Sequence, residues 1–132
     1  AFGLLCTLGL PAKLAMGAQT ALGLASITAV TLLWRSEAPF ALKAAALATG
    51  SLLVSPYLFI YDFPLLIIAQ AFLMRHADKA GTDKLEAFGL LAINATLLSA
   101  MVLPFPPGLF AVLGMAALIA RRLPWPAWAA RP

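Results

Sequence analysis

The chain has 132 residues, of which 63% are hydrophobic and only 11% charged, and its mean hydropathy is +0.96, a composition that argues for a lipid-facing exterior and against a soluble globular domain. A formal charge of +4 is compatible with nucleic-acid binding, but the basic residues flank hydrophobic runs instead of sharing a polar face, so they read as membrane-orientation signal and no nucleic-acid partner is expected. One cysteine, Cys6, and one histidine, His76, are too few for an intrachain disulfide or for a zinc or haem ligand set, and no metal site is expected.

The chain opens within an apolar stretch, AFGLLCTLGLP, with no basic segment ahead of it, which does not fit a signal peptide. The expectation is a single transmembrane domain over residues 1–132, the C-terminal part of a larger membrane protein. Charge-free runs from Leu14 to Trp34 and from Ala44 to Tyr61 approach or exceed the roughly 20 residues that span a bilayer.

The expected fold is all-α: a polytopic transmembrane helix bundle of about five spans, with a broken or hairpin region at residues 55–63. The spacing predicts helices over roughly 11–34, 39–54, 56 or 63 to 74, 84–103 and 107–120. Pro39 and Pro107 suit first helical turns, where no N–H is needed. In HADKAGTDK, residues 76–84, Gly81 is a natural helix stop and Thr82 or Asp83 the next N-cap. One helix from Ala41 to Met74 would run about 50 Å against a hydrocarbon core of about 30 Å, so a break is required. SPYLFIYDFP supplies it: Ser55 suits an N-cap ahead of Pro56, and Asp62 suits one ahead of Pro64.

With that hairpin, Arg35, Lys43, Arg75, Lys79, Lys84, Arg121, Arg122 and Arg131 fall on one side and Lys13 alone on the other. Because cytoplasmic loops carry the excess Lys and Arg, the expectation is a multi-pass protein of the plasma (inner) membrane. Its basic loops would be cytoplasmic, and residues 55–63 and 104–107 would lie on the outer side.

Asp62 is the one acid set in a long apolar run, where an aspartate at the bilayer centre costs about 2.5–3.5 kcal/mol on insertion scales. It belongs near an interface or in a wet cavity. Ser55, Tyr57 and Tyr61 surround it with hydroxyls and rings that can line a sugar; a helix cap beside an interfacial aromatic belt explains the same residues. Gln19, Gln70 and Asn94 are amides within spans and suit interhelical hydrogen bonds. Gly89, Ala92, Thr96 and Ser99 form a stripe that permits close helix approach. His76 reads as a solvated loop residue, and Trp125 and Trp128 as interfacial anchors beside a basic tail. No phosphate-cradling loop, serine-hydrolase elbow or kinase signature occurs.

At Leu52 to Phe63, LLVSPYLFIYDF, the chain resembles the C-terminal part of glycosyltransferase family 87, the polytopic polyprenyl-phosphate-mannose-type transferases, whose members often carry an SPY segment followed closely by YD. The Gly9 to Pro11 opening, Gln19 in the next helix and the closing Arg121–Arg122 pair follow a similar order. Members usually have a polar residue where this chain has Ile60. The resemblance implies a membrane hexosyltransferase that moves a mannose-type hexose from a polyprenyl-phosphate co-substrate to an acceptor on the outer face. Ser55, Tyr57, Tyr61 and Asp62 would contact substrate, and no catalytic residue would lie in this segment, because the family's base sits in an acidic outer loop after its first helix. The implied partners are membrane lipid, the polyprenyl-phosphate sugar and the remaining N-terminal helices of the parent chain. A transporter or flippase fragment with Asp62 as a substrate or proton site, and a structural bundle without catalysis, are the competing readings.

Overall fold

The computed structural model describes residues 2–56, 62–81, 83–99 and 107–123. Six helices and no strand occur among them: α1 (Phe2–Thr7), α2 (Ala12–Arg35), α3 (Phe40–Val54), α4 (Phe63–Ala80), α5 (Lys84–Ser99) and α6 (Gly108–Arg122). The all-α expectation holds.

Prolines set three of the helix starts. Pro11, Pro39 and Pro107 stand at the N-cap positions of α2, α3 and α6, where their carbonyls accept the first intrahelical bonds at 2.9–3.3 Å and their missing N–H is no loss. Gly81 ends α4 at φ +88°, ψ 133°, a conformation essentially reserved for glycine. The carbonyl of Asp83 then opens α5 by accepting from Glu86 and Ala87.

Helices α2 to α6 alternate in direction. Gln19, near the start of α2, meets the carbonyls that end α3, while Lys43, near the start of α3, bonds to the Trp34 and Ser36 carbonyls that end α2. The Phe40 ring meets Phe72 of α4 edge-on at 6.3 Å. Asn94, ten residues into α5, bonds to Gln70, ten residues before the end of α4. Asp83 and Glu86 at the head of α5 pair with Arg121 and Arg122 at the tail of α6.

The core lies around α3. Leu42, Ala45, Leu52 and Leu53 pack with Leu66, Ala69 and Leu73 of α4 and with Ala111, Val112, Met115 and Ile119 of α6. Helix α5 is peripheral, its buried residues being Glu86 and Ile93. It nonetheless approaches α6 closely, since a Cβ built on Gly89 would stand 2.9 Å from a Leu118 methyl. Of the small-residue stripe, Gly89 carries a close approach, whereas Ala92 is exposed.

The outer surface is apolar. Leu14, Leu24 and Ile27 of α2, Phe40 and Leu47 of α3, Ile67 and Met74 of α4, Phe88, Leu91 and Leu98 of α5 and Phe110 of α6 are all exposed. Among the described residues α2 is the one helix both long and apolar enough to cross a membrane. Helices α3, α5 and α6 have 15, 16 and 15 residues, about 22–24 Å at 1.5 Å per residue. The 18 residues of α4 include Arg75, Asp78 and Lys79.

Two boundaries differ from the sequence expectations. A short helix, α1, precedes Pro11. Helix α4 continues through His76 to Ala80, so His76 is a half-buried helical residue and not a loop residue; nothing between Met74 and Ala80 breaks a helix, and Gly81 is the first residue that does. Ser55 closes α3 as its C-cap, at φ −66° and ψ 127°, and α4 starts at Phe63, one of the two expected starts; residues 57–61, where a helix begun at Pro56 would run, lie outside the described residues. The residue before a proline is pushed out of the helical region, which makes Ser55 an end.

Candidate functional site

The junction between α3 and α4 is where the sequence places its polar cluster. Helix α3 must stop at Val54, because Pro56 holds Ser55 in extended backbone, and the last carbonyls of α3 then need donors. Gln19 of α2 provides them. Its Nε2 donates toward the carbonyls of Leu53 at 3.0 Å, Val54 at 3.2 Å and Ser55 at 3.2 Å, two hydrogens shared among three acceptors. Its Oε1 accepts the Phe2 N–H at 3.2 Å. Gln19 is 4% exposed, so this amide works in a dry site, where a lost partner is costly. The Gln19 contact is interhelical, as expected, but its partner is the backbone at the very segment that carries the SPY motif.

Ser55 and Asp62 flank the junction and both are half-buried. Asp62 has helical backbone, φ −85° and ψ −15°, and its side chain makes no capping bond to the first turn of α4. Asp62 is the N-cap residue of α4 with Pro64 in its first turn, as expected, but the side-chain capping bond an aspartate can supply is not made. Tyr57 and Tyr61 lie outside the described residues, as do residues 104–106, Trp125, Trp128 and Arg131.

Charge is distributed very unequally between the two ends of the bundle. Of the charged residues described, only Lys13 and Asp62 belong to the end that holds the α3–α4 junction. Arg35, Glu37, Lys43, Arg75, Asp78, Lys79, Asp83, Lys84, Glu86, Arg121 and Arg122 belong to the other half.

That charged end contains a feature the sequence reading passed over. Glu86, 3% exposed, pairs through Oε2 with Arg122; the Arg122 guanidinium also donates to the Gly81 carbonyl at 2.8 Å. Its hydrogen bond to Glu86, with the nearby carboxylate charges, holds the Arg122 pKa above the ordinary arginine value. The outer pair, Arg121 with Asp83 at 3.2 Å, is about half exposed on both sides. Together these lock the α4–α5 turn to the end of α6. The signal was present: a basic pair closing one helix and acids opening its antiparallel neighbour must meet.

No group of three metal-ligating side chains that could hold an ion occurs among the described residues. No family model matches the chain, and neither a curated protein nor a solved structure matches it.

Proposed function

We propose that this chain is a membrane-embedded helix bundle belonging to a polyprenyl-phosphate-dependent hexosyltransferase, with the Ser55–Asp62 junction on the outer side as part of the sugar-binding cavity. The observation that carries the reading is the charge partition. An antiparallel bundle with an apolar flank and nearly all its cations at one end has the sidedness of a multi-pass protein whose basic end is cytoplasmic. The SPY-to-YD segment then falls at the opposite end, where the family resemblance requires it.

Two features support a binding role there. The Gln19 clamp fixes the direction in which the chain leaves α3, and a fixed backbone presents side chains without an ordering cost. Asp62 is the one described carboxylate at that end. In the transfer step the acceptor hydroxyl oxygen forms a bond to the anomeric carbon as the bond from that carbon to the polyprenyl phosphate oxygen breaks. The hydroxyl proton passes to a general base supplied by another part of the parent protein, and this segment's share is to hold the sugar. Helices α3, α5 and α6 are short for a bilayer and suit a locally thinned membrane or protein-shielded ends.

The test is the Asp62→Asn variant of the full-length parent, assayed for hexose transfer from a polyprenyl-phosphate donor. Single cysteines at Tyr57 and Gly81, in a Cys6-free background, report sidedness in intact cells. Outside labelling at 57, protection at 81 and lost transfer agree with the proposal. Labelling at 81 and not at 57 overturns it and moves a transporter or structural role ahead.

A further inference from the structure

A cavity of about 190 Å³ opens between α2, α3 and α6. Its walls are almost wholly apolar and mix small with branched side chains: Ala29 and Leu33 on α2, Gly50 and Leu53 on α3, Ala116 and Ile119 on α6. Small residues on three converging helices leave a slot between backbones, and a slot this apolar admits hydrocarbon and not water.

Beyond the Leu33 end of the slot stands a cation. Lys43 lies one turn before Ala46 on the same face of α3, and its ammonium donates to the Ser36 carbonyl at 2.6 Å and the Trp34 carbonyl at 3.2 Å. Three donors serve two carbonyls, so one remains for an anionic group. The exposed Arg35 ends α2 in the same turn, beside Glu37, and the exposed Trp34 meets Phe40 edge-on at 6.3 Å, an aromatic pair suited to the headgroup level.

We propose that this slot binds one acyl chain of an anionic phospholipid, with the lipid phosphate on Lys43. The inference rests on the membrane-embedded part of the function proposed above and is independent of sugar transfer. The apolar slot accounts for the chain, and the lysine one turn beyond it accounts for a phosphate with net negative charge over a zwitterionic headgroup.

The test uses the full chain in detergent micelles titrated with palmitoyl-oleoyl phosphatidylglycerol or with phosphatidylcholine of the same chains, and retained lipid is read by native mass spectrometry. One phosphatidylglycerol per chain is expected, favoured about fivefold over phosphatidylcholine. Lys43→Gln is expected to erase that preference while leaving chain binding. Ala116→Phe and Ala29→Phe fill the slot from opposite walls, and each is expected to cut retention at least tenfold with helicity unchanged by circular dichroism. Wild-type retention in both filled variants overturns the site, and equal binding of the two lipids overturns the lysine's role. Flotation of the wild type with phosphatidylcholine–phosphatidylglycerol vesicles reads the membrane proposal separately: a chain that does not float refutes the embedding, whereas one that floats and ignores the filled slot refutes only this inference.

Discussion

The amide nitrogen of Gln19 stands 3.0 Å from the Leu53 carbonyl oxygen, across 34 positions of sequence. A helix that must end before Ser-Pro leaves carbonyls unpaired inside an apolar bundle, and one glutamine on a neighbouring helix satisfies three of them. This contact joins α2 to the junction that carries Ser55 and Asp62.

Replacing Gln19 with leucine removes those donors without opening a large hole. The expected loss is about 1–3 kcal/mol, the cost of leaving buried acceptors unpaired, read as a lower midpoint in denaturation of the detergent-solubilised chain. Gln19→Glu is expected to be worse, since a carboxylate would face carbonyl oxygens with no proton to offer. An unchanged midpoint in both variants would remove Gln19 from the account of the α3–α4 junction.

The two ion pairs at the charged end are expected to differ sharply. Glu86→Ala takes the carboxylate from the Arg122 guanidinium, which keeps its bond to the Gly81 carbonyl and 20% of its side chain exposed, and about 1–3 kcal/mol is expected. Asp83→Ala, at the half-exposed pair, is expected to cost under about 1 kcal/mol and to lose its effect in high salt. The Arg122 pKa is raised on folding, so its contribution is complete below the ordinary arginine value and is lost only as pH rises beyond it. Titration between pH 5 and 9 should show no transition from this residue.

Gln70 and Asn94 form a pair suited to a double-mutant cycle. Asn94 Nδ2 donates to Gln70 Oε1 at 2.9 Å, while Gln70 Nε2 is buried without a partner among the described residues. Asn94→Leu alone is expected to destabilise by about 1 kcal/mol, in the range measured for interhelical bonds in membranes. Gln70→Leu with Asn94→Leu should restore most of that loss, because exchanging both partners for apolar groups removes the unpaired donor as well. Strictly additive losses would show that the two amides do not interact.

Gly81→Ala is expected to cost about 1–3 kcal/mol, because φ +88° with ψ 133° is strained for any residue with a Cβ although nothing stands within 4 Å of the position. Gly17→Ala, inside α2 with equally open space, should instead stabilise, by roughly 0.5–1 kcal/mol. Thermal unfolding of the two variants side by side separates backbone strain from crowding.

Those positions also show what could be read without coordinates. Prolines 11, 39 and 107 and Gly81 act through their own backbone, so their places at helix ends were legible from residue type. Ser55 was not: serine caps helices and also ends them, and only the backbone after Val54 decides which. The Glu86–Arg122 pair required the antiparallel pairing of α5 with α6. Helix α1 is six residues long, too short for periodicity to announce it. At the proposed site the sequence identified Ser55 and Asp62 as a unit, but it missed that Gln19 binds the carbonyls of residues 53–55 where the chain leaves α3, because a glutamine's partner can be any polar atom within reach.

The same glutamine accepts the Phe2 N–H of α1 while its other end grips the close of α3. A single side chain therefore serves as a tie rod running through three helices. A displacement of α1 along the bundle would pull on the carbonyls of residues 53–55 and change the heading on which the backbone sets out toward Asp62. Movement originating ahead of Pro11 thus has a mechanical path to the far turn that does not pass through the bundle's core.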